Sequence, residues 1–289
     1  SMAVWTVTPT TTTDRRRKAM KQKPGIATRA VLLVVSLLWA IPLIWSVLTA
    51  LKPSKESMLL QLPSTLTLEN FQVVFDSAPF LQYGLNTFLI VAGILAVQLV
   101  TVTMGAYALA CVNFRGKGLA MALIMVQIII PADVLILPNY TTLRQLGLLD
   151  TLLGVMIPFF ASSMGLLLLR GAYKSIPSAI ADAARIDGAG IFQTLLNVYI
   201  PSTRATYVAF AICSISTHWN DFLWPMIVIN SVEKRPLTVG LSLFAKASES
   251  GPMWAKVTAA TLIVMLPLYV LFCCFQRVFV SSLVRSGLK

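Results

Sequence analysis

The stretch Ser178-Ala-Ile-Ala-Asp182-Ala-Ala-Arg-Ile-Asp187-Gly188-Ala-Gly190-Ile-Phe-Gln-Thr-Leu-Leu-Asn-Val-Tyr-Ile-Pro201 is polar and alanine-rich, and it interrupts a chain otherwise made of long apolar runs. Ala179, Ala181, Ala183 and Ala184 favour helix and keep its surface thin, and Asp182 and Arg185 are spaced to pair across one turn. Ser175-Ile-Pro177 reads as the helix start, with a serine cap and a proline in the first turn. Gly188 and Gly190 after Asp187 break that helix, Ile191 to Ile200 resumes apolar helical spacing, and Pro201 stops it. The segment 175–201 therefore predicts a helix–turn–helix. It either rests on lipid as an interfacial amphipathic helix or fits as a knob into a cleft of a soluble protein.

Outward from this insert, the chain reads as membrane-embedded. Of its 289 residues 57% are hydrophobic and 12% charged, too apolar for a soluble surface. Uncharged stretches at Ala30–Leu51, Phe80–Phe114, Thr151–Leu169 and Val257–Gln276 approach or exceed the roughly 20 helical residues that cross about 30 Å of hydrocarbon. Two further runs, Gly118–Leu137 and Thr206–Ile229, are equally apolar but carry Asp133, and His218 with Asp221. The expectation is an all-α polytopic protein with six spans: a basic tail over 1–27, a transmembrane domain over 28–289, the insert at 175–201 and an outer loop at 230–255. The first apolar run is too long, and lacks the small-residue cleavage site, for a secretory signal.

Basic residues near span ends are retained on the cytoplasmic side more readily than they are translocated. With both termini and the insert cytoplasmic, 16 Lys and Arg lie inside and 7 outside. The net charge of +12 sits in the tail and at span ends, where anionic lipid headgroups rather than nucleic acid are the expected partner.

The chain has one histidine, and Cys111, Cys213, Cys273 and Cys274 lack CxxC spacing, so no metal site and no histidine-based catalytic centre can be assembled. The cysteines read as small packing residues. Gly116-Lys117-Gly118 lacks the context of a phosphate loop, so any nucleotide must bind elsewhere. Asp133 and Asp221 are costly inside a bilayer and become candidates for the translocation pathway; beside Asp221 stand Trp219, Asn220 and His218, which could stack on and hydrogen-bond a sugar. The bland alternative is that these groups satisfy one another or a neighbouring helix.

Asp182-Ala183-Ala184, then Asp187-Gly188, then Ile200-Pro201 resemble the EAA loop of bacterial ABC importer permeases, with Asp182 in place of the usual Glu. Pro131 to Tyr140, Leu146-Gly147-Leu-Leu-Asp150-Thr151, Trp219-Asn220-Asp221-Phe-Leu-Trp224-Pro225 and Leu237-Thr-Val-Gly240 are similar to the carbohydrate-uptake permeases of the maltose type. The resemblance implies one half of a pore, paired with a second permease subunit. It also implies an ATPase dimer holding ATP and magnesium, and an extracytoplasmic solute-binding protein. It assigns coupling to Asp182, Ala183, Ala184, Asp187, Gly188 and Pro201, and binding-protein contact to the outer loop around Ser248 and Ser250. In the maltose system the sugar site lies in the other permease subunit. An ion-gradient transporter using Asp133 and Asp221 as paired acids, or a membrane scaffold without transport, is the competing class.

Overall fold

In the computed structural model, residues 25–59, 61–247 and 254–286 are described, with side chains of Arg185, Ala247 and 277–286 excluded. The basic tail before Gly25, the Asp182–Arg185 pairing and loop residues Ser248 and Ser250 therefore lie outside the described residues. Every regular element among the described residues is helical.

The chain divides into two compact units after Leu48. The described part of the first is most of α1 (Ile26–Ala50), whose apolar side chains from Val31 to Val47 are largely solvent-accessible in the isolated chain. That is the surface a bilayer would cover.

In the second unit α2 (Glu69–Ser77) leads into α3 (Phe80–Cys111), a 32-residue apolar helix. α4 (Lys117–Ile129) is separated by a 3₁₀ turn, Ala132–Leu135, from α5 (Ile136–Gln145). α6 (Leu152–Met156) and a 3₁₀ turn at Ile157–Phe159 precede α7 (Ser163–Lys174). The expected insert contains α8 (Ser178–Ile186), α9 (Ile191–Thr194), a π turn (Leu195–Tyr199) and α10 (Ile200–Ser202). After it come α11 (Arg204–Trp219), α12 (Leu223–Val228), α13 (Leu237–Ala247) and α14 (Trp254–Ser286).

Among the described residues, three helices are long and apolar enough to cross a membrane, and counting each of two bent pairs as one span raises the number to five. The run Gly118–Leu137 is not a straight span: the chain turns by 99° between α4 and α5. Pro131 explains the break, since a residue before proline is pushed out of the helical region, and Ile130 is extended at φ −75°, ψ 119°. Thr151–Leu169 is bent by 44° between Phe159 and Ser163. Here Ser162 is a true N-cap, accepting from the Gly165 amide at 3.1 Å. α11 has 16 residues and by length alone falls short of a span.

A break inside an apolar layer frees backbone carbonyls that must be satisfied within the protein. α3 supplies the donors. Gln98, 3% exposed, donates to the Phe159 carbonyl at 2.7 Å, and Thr101 donates to the Phe160 carbonyl at 2.7 Å. Ser214 on α11 donates to Gln98 Oε1 at 2.6 Å, so one buried amide ties three helices at the bend. α3 packs along α7, α11 and α6.

Two loop anchors hold the end of the unit remote from the insert. The Asn70 amide donates to the Ala50 and Lys52 carbonyls at 2.8 and 2.7 Å, while the fully buried Lys52 sends its ammonium to the Leu59 carbonyl at 3.0 Å. Asp150, in the left-handed region at φ 55°, accepts from the Asn230 and Ser231 amides, both at 2.9 Å, from the Ser231 hydroxyl, and from Lys234 at 3.2 Å.

Candidate coupling knob and translocation cavity

The insert is a knob fixed to the helices behind it. Ala181, Leu195 and Tyr199 are buried against Val102, Ala106 and Tyr107 of α3, Leu169 and Tyr173 of α7, and Phe210 of α11. The Tyr199 ring meets Tyr107 and Tyr173 edge-on, at centroid distances of 5.4 and 5.1 Å. Behind them the Tyr207 hydroxyl bonds to Tyr173 at 2.5 Å and to Thr103 at 2.6 Å.

The local geometry differs from the sequence expectation at both ends. Ser175 does not cap α8: it follows α7, and its hydroxyl donates back to the Ala172 carbonyl at 2.7 Å. Pro201 does not stop the second helix: helical hydrogen bonds continue to Thr203, whose amide reaches Tyr199 at 3.1 Å. Proline lacks an N–H and its ring crowds the carbonyl four residues back, and the π turn at Leu195–Tyr199 widens the helix directly before it. The turn itself follows expectation. Gly188 has φ +78°, and the Ala189 amide reaches the Ala184 carbonyl at 3.0 Å, the six-to-one bond that closes a helix end. The Gly190 amide then donates to Gln193 Oε1 at 3.0 Å and starts the next helix.

The knob's outer face mixes acids with bare apolar groups. Asp182, Ala183, Asp187 and Gly188 are exposed, and beside them Ile186 is 86% and Phe192 68% exposed. Ala184 is half-buried. Ile180, Ile191 and Leu196 widen the apolar patch, a surface that calls for a partner.

The four residues expected to line a pathway are not brought together. Asp133 and Asp221 line one cavity of about 330 Å³, with Asn139, Gln127 and His218. Trp219 turns away: it is 9% exposed and its indole donates to the Val264 carbonyl of α14 at 3.1 Å. Asn220 is exposed and donates to Ser216 of its own helix at 2.8 Å. The Asp221 carbonyl also takes part in local structure, accepting from the Thr238 hydroxyl at 2.6 Å.

Sequence reading missed Gln98, Gln127 and Thr217. A second cavity of about 270 Å³, lined by Gln98, Ser214 and Cys213, shares Gln127, Phe159, Thr217 and His218 with the first. Cys111, beside the tyrosine cluster, and Cys213 are both half-buried, Cys213 also lining a cavity, while Cys273 and Cys274 are exposed.

The profile of the family described as "Binding-protein-dependent transport system inner membrane component" matches residues 101–285. The chain is 27% identical over 270 residues to the arabinooligosaccharides transport system permease protein AraQ of Bacillus subtilis, covering 91% of this chain and 95% of that protein. AraQ of Halalkalibacterium halodurans is 30% identical over 255 residues, covering 86% and 90% respectively. The sn-glycerol-3-phosphate transport system permease protein UgpE of Salmonella typhimurium is 28% identical over 237 residues, 80% of this chain and 84% of that one. In fold, the chain matches a bacterial ABC transporter involved in the import of the acidic polysaccharide alginate, with a TM-score of 0.77 at 24% identity over 94% of this chain and 99% of the other. With the profile spanning well over half its length, this chain belongs to the inner-membrane permease components of binding-protein-dependent ABC importers.

Proposed function

We propose that this permease forms half of the translocation pathway of an ATP-driven sugar importer and that the 178–201 knob is the point where ATP hydrolysis reaches it. The observation that carries this reading is the knob itself: exposed acids and apolar side chains on a Gly188 turn, braced by Tyr199 on the ends of α3, α7 and α11. A surface element resting on the aromatic anchor of three helices can transmit a push to all three. A connector lying loosely on lipid would need no such anchor.

On this reading the chain crosses the membrane six times, with α11 and α12 together making the fifth crossing, and both termini and the knob are cytoplasmic. Asp182, Ala183, Ala184, Asp187 and Gly188 face a groove of one subunit of an ATPase dimer that holds ATP and magnesium, and Pro201 shapes the return to α11. A second permease completes the pore; α4, which buries none of its residues, offers it a face, and lipid covers the remainder. A solute-binding protein delivers cargo to the loops around 230–255. Asp133 and Asp221 lie on the pathway side, while Trp219 acts in packing and Asn220 closes the end of α11. ATP-driven closure of the ATPase pair would shift the permease between two states, which requires the pair to bind one state more tightly. Sugar as cargo follows from the arabinooligosaccharide systems of the AraQ relatives.

Affinity purification of the chain from its native membrane tests the reading: an ATPase and a second permease should travel with it. Uptake driven by a proton gradient without ATP, in a chain that purifies alone, would replace it with an ion-coupled transporter using Asp133 and Asp221.

A further inference from the structure

We propose that this chain contributes a solute-contact groove of its own, one that admits hydroxyl-rich solutes that are neutral or carry a basic group and rejects anionic ones. The inference rests on the permease reading and adds the chemical class of the cargo.

The groove begins at the 99° bend between α4 and α5, where Asp133 stands on the 3₁₀ turn, and runs past the α6–α7 break to Cys213 on α11. Its two cavities, about 330 and 270 Å³, share Gln127, Phe159, Thr217 and His218, so they are neighbouring parts of one depression. Together they have the volume usual for a small-molecule site. Amide, hydroxyl and imidazole groups give donors and acceptors for sugar hydroxyls, and the Phe159 and His218 rings, in tilted contact at 4.8 Å, add aromatic surface to both cavities. Gln98 and Ser214 serve the bend, so the polar lining that faces a solute is Gln127, Asn139, Thr217, His218 and the two acids.

Charge decides the class. Neither cavity is lined by Lys or Arg, while Asp133 and Asp221 both face the larger one. An anion there meets two carboxylates and no cation, in surroundings where water screens poorly. Phosphate and uronate recognition uses guanidinium or ammonium groups, and this half supplies none along the groove. The solute should therefore differ from the glycerol phosphate of the UgpE system and from the acidic alginate carried by the structural relative.

Cys213 provides a built-in reporter. In the full-length protein with Cys111→Ser, Cys273→Ser and Cys274→Ser, reaction rates would be measured with a cationic trimethylammonioethyl and an anionic sulfonatoethyl methanethiosulfonate, each normalised to its rate with free mercaptoethanol. The expected result is a cation preference of about tenfold or more, falling towards one in Asp133→Asn/Asp221→Asn. A normalised ratio near one, a ratio unchanged by the double substitution, or no labelling by either reagent would overturn the groove. The two readings can fail separately. A ratio near one in a chain that co-purifies with an ATPase removes the groove and leaves the importer, whereas a tenfold ratio in a chain that purifies alone and works without ATP does the reverse.

Discussion

Gly188 turns the knob at φ +78°, a conformation that costs an L-residue roughly 1–2 kcal/mol. A Cβ placed there meets no atom of this chain within 4 Å. Internal strain and partner contact can therefore be separated. Gly188→Asn, tolerated in left-handed turns, should keep most coupling if strain dominates, whereas Gly188→Asp should uncouple ATP hydrolysis from uptake while the protein still inserts. ATPase activity and solute uptake, measured side by side in proteoliposomes, give the ratio; normal uptake by Gly188→Asp would remove the coupling role.

Asp150 makes a second prediction at the same scale. The Ser231 hydroxyl, then the Ser231 amide, then the Asn230 amide and Lys234 stabilise its carboxylate, and they hold its pKa far below the usual value near 3.8. A depressed folded pKa gives stability that is complete above the unfolded value and is lost as pH falls through the folded one. Thermal unfolding in detergent should thus show no loss from this clasp between pH 7 and 5, and a loss beginning below about pH 4. Asp150→Asn should lower stability at pH 7 and flatten the acid limb; an unaltered acid limb would mean the clasp contributes nothing.

At the scale of elements, close helix approaches depend on particular glycines. A Cβ on Gly165 of α7 would lie 2.3 Å from the Phe210 ring of α11, whereas one on Gly171 of the same helix would meet nothing. Gly165→Ala should destabilise the protein by about 1–3 kcal/mol through overpacking, and Gly171→Ala should leave stability unchanged or raise it slightly through helix propensity. Denaturant unfolding in mixed micelles measures both, and equal values would refute the crossing contact. The apolar runs made the helical, membrane-embedded character legible, but the 99° bend inside Gly118–Leu137 was not expected, although Pro131 disfavours helix at the residue before it. The 44° bend at Phe159–Ser163 was not legible, because its freed carbonyls are satisfied by Gln98 and Thr101, about sixty residues earlier. Trp219, Asn220 and Asp221 part for a related reason: adjacent residues at a helix end diverge by about 100° each, so a contiguous motif is divided among packing, surface and cavity.

For the whole molecule, geometry marks three to five candidate spans among the described residues, whereas the apolar runs count six and the charge distribution places both ends on one side. The difference lies in α11 and α12. α11 alone extends about 24 Å at 1.5 Å per residue, short of the roughly 30 Å core. Residues 220–222 break it, and α12 carries the chain on to Val228. The Asp150 clasp, which binds Asn230 and Ser231, then fixes the end of α12 to the loop before α6. If both loops are outside, α11 and α12 must form one crossing and the knob must lie on the opposite side. Alkaline phosphatase fused after Ser231 should be active, a fluorescent protein fused after Lys289 should fold and fluoresce, and phosphatase fused after Gly188 should be silent. A silent fusion after Ser231 beside an active one after Gly188 would invert the chain and place the knob where no ATPase could reach it.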